Sequence, residues 1–201
     1  MTTLIIKTFI AGAVSAVLAT NAVAQSAKKP SSPLIISQNE TAPKHPAGSV
    51  ANSSNASPIY GVTIPEGYRE WKVIAVNHDT GKFNQLRAQL GNDIAFKAMQ
   101  EGKLPFPDGA IIAALHWNAE SSEENNKVLA VLGVQSVTPT SPANVQFMVK
   151  DSKKYATTGG WGFADFKGGK PGNEALHQTC FACHVPAKAQ DYVFTHFART
   201  P

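Results

Sequence analysis

The 201-residue chain is poor in cysteine, with two, and poor in charge: Asp, Glu, Lys and Arg make up 16%, against roughly 25% in an ordinary globular chain. No run of Lys or Arg exceeds two, as at Lys28-Lys29 and Lys153-Lys154, so the net charge of +4 is diffuse and offers nucleic acid no footprint. No apolar stretch reaches the roughly 20 residues needed to cross a bilayer, so the mature chain is expected to be soluble. A hydrophobic fraction of 43% excludes a wholly disordered protein, and 15 Gly with 13 Pro excludes a collagen-like one. The length suits one domain with appendages.

Residues 1–24 read as a cleaved secretory signal. Lys7 precedes an apolar run of about a dozen residues, and Ala22-Val23-Ala24 has the small-x-small pattern of a cleavage site. The expected location is therefore periplasmic or secreted. Residues 25–57 are rich in Ser, Asn, Ala and Pro and lack a sustained apolar period, as in a flexible leader. The domain is expected to span 58–201.

Its fold class reads as α+β, mainly an antiparallel sheet with short packed helices. Strands are expected over 71–76, 110–117, 128–137 and 161–166, and around Val145, Phe147 and Val149. There the apolar residues alternate with Gln146, Met148 and Lys150, which gives the strand two different faces. Asn92 is expected to cap a helix that stops at Gly102, and Asp151 to cap a brief turn through Tyr155. A third helix should run from about Asn173 into the cysteine motif, with Leu176, Cys180 and Cys183 on one face.

Both cysteines fall in Cys180-Phe181-Ala182-Cys183-His184. Cys-x-x-Cys-His is the attachment sequence for c-type haem, in which two thiols add to the porphyrin vinyl groups and the adjacent His ligates iron. Three other readings are weaker. Zinc needs about four ligands, and the motif supplies three. A thioredoxin-like pair follows an early strand, whereas this motif lies close to the last residue. A disulfide across two residues closes too short a loop to stabilise much. One covalent haem c is expected, held by Cys180 and Cys183, with His184 on the iron. No Met follows His184, and Met99 and Met148 read as core, so an open sixth position is the default.

Phe106-Pro107-Asp108-Gly109, Val149-Lys150-Asp151-Ser152, Gly160-Trp161-Gly162-Phe163, the haem motif and Asp191-Tyr192-Val193-Phe194-Thr195 together resemble the cytochrome P460 family. Tyr68-Arg69-Glu70-Trp71 and Leu90-Gly91-Asn92-Asp93 extend the resemblance across the domain. It implies a mostly β fold, a homodimer, and one haem with His184 proximal and an open distal face. Relatives with a lysine cross-linked to the porphyrin oxidise hydroxylamine; the cytochromes c′-beta, without it, bind nitric oxide or carbon monoxide. The cross-linking position falls on Ala114, and residues 110–117 contain no lysine. The position of the distal proton-relaying carboxylate falls on Gln146, which cannot shuttle a proton by titrating.

The chain is accordingly expected to bind a small diatomic such as nitric oxide, or a small nitrogen species, in a pocket that includes Ala114 and Gln146. Catalysis on hydroxylamine is the alternative. A six-coordinate electron carrier with a redox partner protein is another, and His116, sharing strand parity with Ala114, would then be a sixth ligand or distal hydrogen-bond donor. The plainer reading of His116 is a strand-end histidine beside Trp117.

Overall fold

Alternating apolar and polar residues build strands with two faces, and short turns between successive strands build a meander. The computed structural model describes residues 55–199. They form an α+β fold on one six-stranded antiparallel sheet whose spatial order is its sequence order. The strands are β1 (Lys72–Asp79), β2 (Gln85–Gly91), β3 (Ile111–Ser121), β4 (Val137–Lys150), β5 (Trp161–Lys167) and β6 (Lys170–Pro171). The helices are α1 (Asp93–Glu101), α2 (Glu123–Leu129) and α3 (Glu174–His184), with four short 3-10 segments between elements. Gly168 and Gly169, at φ 57° and 79°, turn β5 back into β6. Two successive positive φ values are what a two-residue hairpin of this hand requires. Residues 1–24, expected to be a signal sequence, and residues 25–54 of the expected leader lie outside the described residues. Among the described residues no helix is long and apolar enough to cross a membrane.

Asn92 caps α1, its Oδ1 accepting from the N–H of Ala95 at 2.9 Å, and the helix ends at Gly102. Phe147 is buried on the β4 face opposite Gln146 and stands edge-on to Tyr68 and Phe166, at centroid distances of 5.2 and 5.9 Å. Met99 and Met148 are half-buried against the core.

Three expectations need correction. Residues 128–137 are not a strand: they close α2, form the 3-10 turn Ala130–Leu132 and reach left-handed Gly133 before Val137 opens β4. Ser122 caps α2 and two acids fill its first turn, so local helix signals prevail over the β preference of Val and Leu. Without a partner strand these apolar residues stay exposed, Val131 at 88%. Second, β2 and β6 are additional strands. Third, packing reaches into the end of the leader. Buried Ser57 donates to the carbonyl of Phe163 at 3.1 Å and accepts from the N–H of Val62 at 3.0 Å, and Ala56 bridges to Thr63.

Candidate functional site

Helix α3 begins where the side chain of Asn173 accepts from the N–H of Leu176 at 2.9 Å. Its hydrogen-bonded hold on the sheet comes from His177, which is fully buried. The ring accepts from the N–H of Asp165 on β5 at Nε2 (3.1 Å) and donates from Nδ1 to the carbonyl of Asn173 (2.8 Å). One turn further on stand Cys180, half-buried, and Cys183, exposed, both free thiols. Residues three apart share a helix face. Burial, followed by the charges of Asp165 and Cys183, pushes the Cys180 thiol up to about 11. A redox nucleophile needs the opposite shift.

His184 is the last residue of α3. Its ring lies between Phe163 and Phe194, at centroid distances of 4.9 and 5.1 Å. Nδ1 stands 2.7 Å from the carbonyl oxygen of Tyr192. A carbonyl only accepts, so Nδ1 carries the hydrogen and Nε2 keeps its lone pair. Burial lowers the pKa of His184, with the Tyr192 hydrogen bond opposing, and the ring stays neutral at neutral pH.

The strand register assembles the second half of the site. Gln89, Ala114, Gln146 and Asp165 stand in one row across β2, β3, β4 and β5. Arg87, His116 and Asn144 form the next row. Asp165 is a buried carboxylate that accepts from the Gln146 amide at 2.9 Å and from the amide of Asn144. Its backbone N–H donates to His177 of α3, so this stretch of β5 carries the motif helix, and its charge bears on both Cys180 and His116. Arg87 pairs with Asp79, and the Gln89 amide donates to Asn77 at 2.7 Å.

His116 is buried in the middle of β3, since the strand continues to Ser121; it is not a strand-end residue. Nδ1 donates to the side-chain oxygen of Gln85 at 3.2 Å. Burial, then Arg87, pulls its pKa down to about 4, so the ring is neutral. His116 Nε2 and Gln89 Oε1 are buried acceptors with no partner among the described residues.

Ala114, Gln146 and His116 thus share one sheet face, and the two thiols and His184 share one helix. Asp165, Gln89, Arg87 and His177 escaped the sequence reading. The signal for three of them was present: Gln85, Arg87 and Gln89 alternate with Leu86, Ala88 and Leu90, and Asp165 is the lone acid of an aromatic strand.

The donor chemistry fits a haem. Two thiols three residues apart adjoin one imidazole with a free Nε2, and aromatic rings flank that imidazole. Among the described residues no three His, Cys, Asp or Glu side chains could together hold a metal ion. The imidazole of His184 is the metal donor that the motif offers, and a macrocycle would bring four more nitrogens. No curated protein matches the sequence. The cytochrome P460 family model matches residues 65–195, and with most of the described chain inside that match the protein belongs to the cytochrome P460 family and is a haem-binding cytochrome.

Proposed function

We propose that the protein is an exported cytochrome that holds one haem through thioethers from Cys180 and Cys183, takes His184 as the proximal iron ligand, and binds nitric oxide or a similar diatomic. The observation that carries this reading is His184 itself. Its Nδ1–H is committed to the Tyr192 carbonyl, its Nε2 is free, and two unpaired thiols precede it on the same helix. When bound, the haem supplies an iron with one position open to a small ligand. The chain's own residues do the rest. Phe163 and Phe194 hold the imidazole plane, and the Tyr192 carbonyl fixes its tautomer and raises its basicity. On the sheet face, the Gln146 amide is tied to Asp165 and cannot carry protons by titrating.

Ala114 and Gln146 weigh against hydroxylamine oxidation, because the catalytic relatives have a lysine and a carboxylate at the matching positions. The export signal at 1–24 supports a periplasmic or secreted location, and the family resemblance supports a homodimer. A second reading rests on His116: buried, neutral and unpartnered at Nε2, it has the form of a sixth ligand for an electron-transfer haem.

The reduced absorption spectrum, recorded with and without carbon monoxide after expression with haem-attachment machinery, separates these outcomes. An ordinary c-type spectrum that shifts with carbon monoxide supports the diatomic-binding reading. A six-coordinate low-spin spectrum indifferent to the gas supports His116 ligation, and His116→Ala should then open the site. A strongly red-shifted Soret band in the reduced state would reinstate the cross-linked, catalytic reading. Cys180→Ala and Cys183→Ala should each reduce covalent haem in the purified chain.

A further inference from the structure

The turn that carries the Tyr192 carbonyl is built unlike an ordinary loop. Asp191 and Tyr192 both adopt left-handed backbone, at φ 51° and 65°, a conformation that costs any residue with a Cβ. Something must hold it. Lys150, at the end of β4, and Asp191 form an ion pair with side chains only 5% and 10% exposed. The Lys150 ammonium stands 2.8 Å from each carboxylate oxygen and donates a further bond to the carbonyl of Gly159 at 3.0 Å. It also lies 4.9 Å above the Trp161 ring, whose indole N–H donates to the Asp191 carbonyl at 2.8 Å. The N–H of Phe106 donates to the Asp191 carboxylate at 2.8 Å. Beyond the turn, the Tyr192 ring packs against Gly159 so closely that a Cβ there would meet it at 2.1 Å.

We infer that Lys150 and Asp191 are positioning residues for the proximal ligand: their buried ion pair locks the strained Asp191-Tyr192 turn so that the Tyr192 carbonyl is presented to the Nδ1–H of His184. The inference rests on the reading of His184 as the iron ligand. It adds that the electron-donating strength of that ligand is set from β4, 34 residues earlier in the chain (Lys150 to His184), rather than by the helix that carries the histidine. The physical link is short. A firm acceptor on Nδ1 makes the imidazole a stronger donor to iron, which strengthens the iron–nitrogen bond and favours the ferric state. Releasing the turn should weaken that acceptor without touching His184, Cys180 or Cys183.

Removing one member of a buried pair leaves the other charge unpaired and risks unfolding, whereas removing both is tolerated far better. The test therefore uses three chains beside wild type, each loaded with haem: Asp191→Asn, which keeps the size and one acceptor for Phe106; Lys150→Met with Asp191→Asn, which leaves no unpaired charge; and Lys150→Arg, which keeps the charge. Mass spectrometry counts attached haem, resonance Raman reads the iron–histidine stretch, and a redox titration reads the midpoint potential. Asp191→Asn and the double variant should keep the haem mass, lower the stretching frequency and raise the potential; Lys150→Arg should stay nearer to wild type on both. A folded Asp191→Asn or double variant with the wild-type frequency and potential overturns the inference. A wild-type chain without the haem adduct overturns the haem reading, and this inference with it, before any variant is made.

Discussion

Protonating His116 would set a cation beside Arg87 in a buried row of the sheet, and burial together with that guanidinium holds its pKa down to about 4. In the unfolded chain the same imidazole titrates near 6.5, its ordinary value. Between these two values the unfolded state binds a proton that the folded state refuses, so acidification favours unfolding. The stability that comes from keeping His116 neutral is whole above about pH 6.5 and is lost progressively toward pH 4. The urea midpoint of the haem-loaded protein should fall across that window, and His116→Gln should flatten the fall; equal slopes would show that His116 is accessible to protons. Cys180 offers a second residue-scale test. Burial is the larger cause of its raised pKa and Asp165 the next, so in the haem-free chain Asp165→Asn should bring the thiol only part of the way down from about 11. The pH profile of alkylation reads this, and an unmoved profile would remove Asp165 from the neighbourhood of Cys180.

Helix α3 is joined to β5 by hydrogen bonding through His177 as well as by the rings of Phe181 and His184 against Phe163. His177 accepts from the buried N–H of Asp165 and donates to the carbonyl of Asn173, so it ties the helix's first turn to β5. Leucine would fill similar space but would leave the Asp165 N–H without an acceptor, at a cost of about 1–3 kcal/mol. His177→Leu should lower the denaturation midpoint accordingly and reduce haem attachment, because the two thiols lose their fixed approach. An unchanged midpoint would mean that solvent reaches the Asp165 amide. Helices α1 and α3 were legible from their caps, Asn92 and Gly102 bounding α1 and Asn173 starting α3, whereas α2 with its Ser122 cap was missed. The importance of His177 was not legible, since it comes from a strand neighbour 12 residues away in the chain. The apolar residues of 128–137 misled for a related reason. A β preference is expressed only where another strand offers its edge, and here β3 and β4 pair with each other and leave that segment to its local helix signals.

Across the whole sheet, the meander gathers Gln89, Ala114, Gln146 and Asp165 into one row from four strands, although Gln89 and Asp165 are separated by most of the domain. Parity within a strand was readable, and it put Gln146 and Phe147 on opposite faces. Which residues of other strands complete the row depends on register, and a single chain carries no local mark of that. The consequence is visible at Gln146. Considered alone it is an uncharged amide on one face of β4; in the assembled row it is the donor that satisfies the buried Asp165 carboxylate at 2.9 Å. Placing an acid there with Gln146→Glu therefore removes a donor and sets two carboxylates against each other. Like charges at such a separation cannot both ionise without penalty, so one of the pair must take a pKa well above the ordinary value of about 4.3 for a glutamate. A carboxyl whose pKa is raised on folding leaves the native state intact below the unfolded value and destabilises it as pH rises toward the folded one. Gln146→Glu should thus match wild type in stability near pH 4 and fall progressively behind it as pH rises, with Asp165→Asn in the same chain removing the difference. A gap between variant and wild type that stays constant with pH would mean the two side chains do not share the row in solution. A pH-dependent gap would show that, with Asp165 fixed on β5, the amide is a better neighbour for the sheet than a carboxylate.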